Sequence, residues 1–223
     1  MSTHSHPFHL NYHVHRRGFS LVELLVTILI IVALAAIALP VSRSLMARSQ
    51  TLNCAGNLRQ IGMATMMYAG DHQMTLPATV HQRGGKSWTL TLQPYASGTI
   101  TFKCANDRNK PRAYTYVIND FLTAFPEGAE HLNFSILARI ERPDATFMFA
   151  EAAVSHSGDH FHFAPYFGGP VPPEAFEHQV EMDMHGNEAN YLFADGHVET
   201  LTRKEVLNRL AAAGSRFVDP SKP

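Results

Sequence analysis

The sequence predicts an α+β fold in which one long N-terminal helix, apolar enough in its first half to span a membrane, packs on a small antiparallel β-sheet. Three observations predict it. Residues 21–41 read LVELLVTILIIVALAAIALPV, a run whose one charge is Glu23. The next thirty or so residues keep helical spacing, and beyond them the chain breaks into short β-like runs separated by turn residues.

The composition sets the outer limits. A chain of 223 residues with 45% hydrophobic content suits one globular domain plus an anchor. Lys and Arg total 18 against 19 Asp and Glu, a net charge of -1 that argues against a nucleic-acid partner, because phosphate contacts need a basic surplus. Two cysteines, Cys54 and Cys104, are too few for a Cys-based zinc module and enough for one disulfide in an oxidising compartment. Of 14 histidines, His4, His6, His9, His13 and His15 precede Gly18.

The apolar run comes first. At about 1.5 Å per residue it covers the ~30 Å hydrocarbon core of a bilayer. A secretory signal would use Arg16 and Arg17 as its basic region and be cut after Ala38, but its apolar region is normally ~7–15 residues. A twin-arginine signal would use RRGF, yet the following stretch is long for a cleaved signal. A plain anchor explains the length but gives no reason for Glu23, whose charge would cost about 2.5–3.5 kcal/mol at the bilayer centre and less near its edge.

The segment RRGFSLVELL resembles the signal of type IV prepilins and type II secretion pseudopilins: a basic leader ending in Gly, then Phe, then a hydrophobic stretch interrupted by Glu at the fifth mature position. Gly18, Phe19 and Glu23 fill those roles. Pro40 matches a position where such helices often carry proline, and it would either kink the helix or end it at the membrane surface. The resemblance implies a type IV pilin-like fold and a non-enzymatic subunit. It also implies cleavage after Gly18 by a prepilin peptidase that methylates the amine of Phe19. Glu23 would then sit near the N-terminal ammonium of a neighbouring subunit, a pairing that offsets its burial. The implied partners are that peptidase, further pilin-like subunits, a secretion or pilus machinery and the membrane. The implied location is the bacterial inner membrane, crossed once, with the globular domain extracytoplasmic. Removal of residues 1–18 takes away the two positive charges of Arg16 and Arg17 and leaves a net charge of -3. Charge does not fix the orientation, because Arg43 and Arg48 follow the span as Arg16 and Arg17 precede it.

The expected organisation is therefore a cleaved leader (1–18), a membrane and assembly helix (19–41), its amphipathic continuation (42–72), a β-rich domain (73–202), and a short helix with a flexible tail (203–223). In the continuation, Cys54, Leu58, Ile61, Thr65 and Tyr68 step by four and three and share a face. The runs SWTLTLQPY, TITFKC, YTYVIND, ATFMFAEA, HFHFAPY, NYLFA and HVETLT read as strands. A bond between Cys54 and Cys104 would staple helix to sheet; two separate buried thiols are the alternative.

Near the C-terminus, HGNEANYLFADGHVETL places nine residues between His185 and Asp195-Gly196. With NCAGNLRQIG, FKCAND and RPDATFMFAEA, this resembles the H-X9-DG domain of prepilin-like proteins, the DUF1559 or SBP_bac_10 group. Ala105 departs from the proline usual after the family's cysteine. Asp195-Gly196 between two β-like runs predicts a two-residue type I′ hairpin turn, with His185 capping or bonding that hairpin. A metal site is the sharper alternative: His160 and His162 on one strand face, near Asp159, His185, Asp195 and His197, would suit zinc or calcium. No nucleophile elbow, phosphate loop or HExxH is present, so no enzyme and no obligatory cofactor are expected. A second functional reading is a membrane-tethered binding protein whose ligand surface is the His-rich 156–162 region with the 168–180 loop.

Overall fold

The computed structural model describes residues 18–80, 86–96, 98, 100–124 and 134–222. The expected leader, apart from Gly18, lies outside them. The chain divides into two units, Met1–Leu45 and Met46–Pro223.

In the first unit, helix α1 (Leu21–Asp71) begins immediately after a capping residue. Ser20 Oγ accepts the Val22 N–H, and the Glu23 carboxylate accepts the Ser20 N–H at 2.9 Å. Together these two bonds satisfy two of the donors a helix start leaves open, the N–H of the cap residue and that of the second helical residue. The apolar side chains that follow, Leu24, Ile28, Ile31 and Leu34 among them, are exposed. An 18-residue window reaches a mean hydropathy of 3.0, so the helix is long and apolar enough to cross a membrane. Pro40 lies inside α1, and the helix does not end there. Its missing N–H leaves the Ala36 carbonyl without the usual helical donor.

In the second unit, the later turns of α1 bury Thr51, Cys54, Leu58, Ile61 and Thr65. They pack on a four-stranded antiparallel sheet: β1 (Tyr116–Ile118), β2 (Phe147–Glu151), β3 (Glu188–Phe193) and β4 (Val198–Thr202), in that spatial order. Close approach occurs at Gly62, where a Cβ would lie 3.0 Å from Leu192 Cδ1. Register pairs Tyr116 with Glu151 and Phe149 with Leu192, and paired residues share a sheet face. A bulge between Phe147 and Phe149 shifts the ladder, so Phe147 turns to the opposite face. There it joins Phe163, Phe176, Tyr191 and Phe217 in an aromatic layer with ring centroids about 5–6 Å apart.

Four expected elements differ. SWTLTLQPY forms a short helix, α2 (Trp88–Leu92), followed by a 3₁₀ turn over Gln93–Tyr95. Trp88 and Leu92 are buried while Leu90 is exposed, so burial follows a spacing of four rather than two, and Pro94 cannot donate to a ladder. Residues 100–104 of TITFKC are not a strand: the Cys104 N–H goes to Thr115 Oγ1 (3.0 Å) instead of a neighbouring backbone. HFHFAPY makes one parallel bridge, Ile118 with His160, and then turns away because Asp120 Oδ2 takes the Phe163 and Ala164 N–H groups. The expected flexible tail is packed instead: after helix α3 (Arg203–Ala211), Phe217, Val218 and Asp219 are buried, and Asp219 accepts the Gly168 N–H at 2.8 Å.

Candidate functional site

Two groups of residues carry chemistry, one in each unit. In the first, Gly18, Phe19 and Ser20 precede the helix in exposed, non-helical backbone. A peptidase needs an extended, accessible peptide, and Gly18 lacks a Cβ that would hinder close approach. Glu23 sits one turn downstream, its carboxylate held at the helix start by Ser20, where the helix dipole favours a negative charge. The S-x-x-E pattern at Ser20 and Glu23 is a local signal of that contact.

The second group lies between the later turns of α1 and the sheet. Cys54 and Cys104 are bonded, with Cα atoms 5.4 Å apart, and tie α1 to the loop before β1. His185 lies against them, its Nε2 3.7 Å from Cys104 Sγ. The same Nε2 is 2.9 Å from Glu151 Oε1, and both side chains are fully buried. Glu151 Oε2 accepts the Asn190 N–H at 2.9 Å, and Asn190 Nδ2 also donates to the Thr51 carbonyl on α1. Asn106 Nδ2 lies 3.2 Å from His185 Nδ1, which makes that nitrogen the acceptor and Nε2–H the donor to Glu151. Every ionisable group here thus has a partner, as burial demands.

Supporting groups brace this centre. Tyr116 donates to the Cys54 carbonyl (3.3 Å), and burial, then the nearby Glu151 charge, hold its hydroxyl well above its ordinary value. Thr115, whose hydroxyl receives the Cys104 N–H, donates to Asp107. Burial pushes the Asp107 carboxyl up, but hydrogen bonds from Arg112 and Thr115 outweigh it and hold the group below its usual range. Arg112 pairs with Asp107 and also donates to the Ala152 and Ala153 carbonyls, both at 2.8 Å, just past the end of β2.

Of the expected site residues, His185 enters this centre. Asp195, Gly196 and His197 do not. They form the β3–β4 turn, where the Gly196 N–H bonds the Phe193 carbonyl and the Phe193 N–H bonds the His197 carbonyl. Gly196 has φ +93 while Asp195 has no positive φ, so the turn is a three-residue loop with a left-handed glycine rather than type I′. His197 is half-buried, paired with Asp195 and with Glu199 (3.1 Å), and stacked on Phe193. Burial lowers its proton affinity, but those two carboxylates outweigh it and raise its pKa.

The other metal candidates also stay apart from His185. His160 Nδ1 pairs with the buried Asp159 at 2.8 Å, and the His162 ring, exposed, lies 4.5 Å from that of His160. Among the described residues, the side chains whose donor atoms do converge are Cys54, Cys104, Glu151 and His185. Sequence reasoning alone misses Glu151 and Asn190. The signal for Glu151 is a carboxylate in the otherwise apolar FMFAE, whose strand is buried along its whole length.

Residues 14–39 match the family described as a prokaryotic N-terminal methylation motif. No match to the chain was found among curated proteins or among solved structures. The chain thus carries a prepilin-type N-terminal motif ahead of an α+β domain of long apolar helix and small antiparallel sheet.

Proposed function

We propose that this chain is a pseudopilin-like subunit: a prepilin peptidase cuts it between Gly18 and Phe19 and methylates the new amine, and its N-terminal helix then assembles it with other pilin-like subunits into a type IV pilus or type II secretion-like filament. The globular domain faces the extracytoplasmic side, and the protein works by assembly rather than by catalysis. The observation that carries this reading is the methylation motif over residues 14–39, coinciding with an exposed Gly18-Phe19 peptide and an apolar helix whose first turn carries Glu23.

Glu23 acts in two settings on this account. In the isolated subunit its carboxylate caps its own helix through Ser20. In the filament it also meets the ammonium of a neighbouring subunit, which offsets its cost in an apolar surrounding. Glu23→Gln keeps a cap acceptor and removes the charge. Expressed with its peptidase in the native membrane, this variant should be cleaved normally and fail to enter sheared filaments or crosslinked oligomers. Undiminished assembly of the variant would contradict the pairing given to Glu23, whereas an unsubstituted chain that is cleaved yet absent from filaments and oligomers would contradict the filament role and favour a processed, membrane-tethered binder. That second reading needs an accessible surface at 156–162, where His156, Asp159 and His160 are buried.

A further inference from the structure

The two cysteines, His185 and Glu151 are placed for more than a disulfide and a buried ion pair. We propose that, when the Cys54–Cys104 bond is reduced, the two thiolates, His185 Nε2 and Glu151 Oε1 bind one zinc ion, so that the same four side chains hold helix to sheet in either redox state. This stands whether or not the chain assembles into a filament.

The geometry comes first. One donor atom from each residue lies within 4.8 Å of all the others. A tetrahedral zinc site with bonds of about 2.0–2.3 Å sets its donors roughly 3.3–3.8 Å apart, so modest side-chain adjustment closes the set around an ion. The four residues come from separate parts of the fold: α1, the loop before β1, the end of β2, and the turn entering β3. An ion held by them crosslinks the segments that the disulfide joins and two strands of the sheet as well.

The donor chemistry fits zinc, which takes thiolate, imidazole and carboxylate together in a closed four-coordinate site. The buried charge also balances. With neutral imidazole, the disulfide form holds only the Glu151 charge. In the zinc form the two thiolates cancel the ion, and again one negative charge remains. Exchanging one state for the other therefore adds no uncompensated charge to the interior. An outer contact to Glu151 is in place as well. Asn190 holds both Glu151 oxygens, its N–H on Oε2 at 2.9 Å and its Nδ2 on Oε1 at 3.3 Å, and Oε1 faces the cluster. When His185 Nε2 ligates, Nδ1 must carry the proton, and a half-turn of the Asn106 amide, which gives up its 3.4 Å bond to the Met184 carbonyl, presents its oxygen to accept it, the orienting bond that zinc-bound histidines usually have.

The redox step needs a dithiol reductant, of the kind thiol–disulfide exchange proteins supply. Its two thiols give two electrons and two protons to the Cys54–Cys104 bond and become a disulfide themselves. Zinc then displaces the two cysteine protons to solvent.

The test uses the full-length chain in detergent, reduced with a dithiol that is then removed without oxygen, and cobalt(II) as the probe. These are the chain's two cysteines, so a thiolate-to-cobalt charge-transfer band reports on them alone. The proposal expects one cobalt per chain with tetrahedral visible bands, displaced by zinc, and no such spectrum in the oxidised chain. His185→Ala and Glu151→Gln should each weaken cobalt binding at least tenfold. A second preparation, refolded from denaturant with zinc present, guards against collapse of the reduced fold. Absence of stoichiometric metal from both preparations, or affinity unchanged in both variants, would overturn the proposal.

Discussion

Glu151, at the end of β2, and His185, in the turn entering β3, pair at 2.9 Å beneath α1, each with no solvent exposure of its side chain. Removing one partner of such a pair strands the other's polar atoms in the interior. His185→Ala should therefore destabilise the domain by about 3–5 kcal/mol. Asp195→Asn, which touches a pair that is one-third exposed, should cost about 1 kcal/mol or less. Denaturant unfolding of the detergent-solubilised chain measures both, and equal losses would contradict the assignment of His185 to the junction.

The bond between Cys54 and Cys104 spans a sequence separation of 50. In the loop-entropy account its removal by Cys54→Ser with Cys104→Ser costs about 4 kcal/mol. The unfolding midpoint should fall accordingly in zinc-free buffer. An unchanged midpoint would show that packing alone holds α1 to the sheet.

Much of this arrangement is legible in the sequence. The face of Cys54, Leu58, Ile61 and Thr65 can be read because helical periodicity is local, and those four residues are buried as their spacing implies. The contact between Ser20 and Glu23, three residues apart, is equally local. Local pattern misleads where tertiary contacts override it. Trp88 alternates with Leu90 and Leu92 as a strand would, yet its indole donates to the Asp159 carbonyl at 2.7 Å, 71 residues away, and the segment turns helical around it. The convergence of Cys104, Glu151 and His185 depends on three separate connections between elements, which no spacing encodes.

Acid should unfold the domain partly through His156. Burial, with the positive charges of His162 and His160 adding to it, pushes this imidazole down to about 4. Its unfolded value is near 6.5, so the stability it contributes is fully present above about pH 6.5 and is lost as pH falls from there through about 4. Asp120 runs the other way. Burial lifts its carboxyl to about 6 against the opposing backbone bonds from Ala164 and Phe163, so its contribution is present at acid pH and lost as pH rises through about 6. His156→Gln should shift the acid-unfolding midpoint downward and leave Asp120's opposite slope intact. A midpoint that stays or rises would refute the role given to His156.

Two glycines should respond to alanine with opposite sign. Gly196 holds φ +93 in the β3–β4 turn, a conformation that costs an L side chain about 1–2 kcal/mol. Gly56 lies inside α1, and a methyl group added there would meet no neighbouring group within 4 Å. Gly56→Ala should therefore stabilise by roughly 0.5–1 kcal/mol through reduced backbone freedom. Thermal unfolding of the two variants side by side checks the signs.

Everything proposed for the N-terminal helix depends on processing at Gly18, which intact-mass and N-terminal analysis of the protein from its native membrane reads. The mature chain should start at N-methylated Phe19. A chain that starts at Met1, or after Ala38, would contradict it.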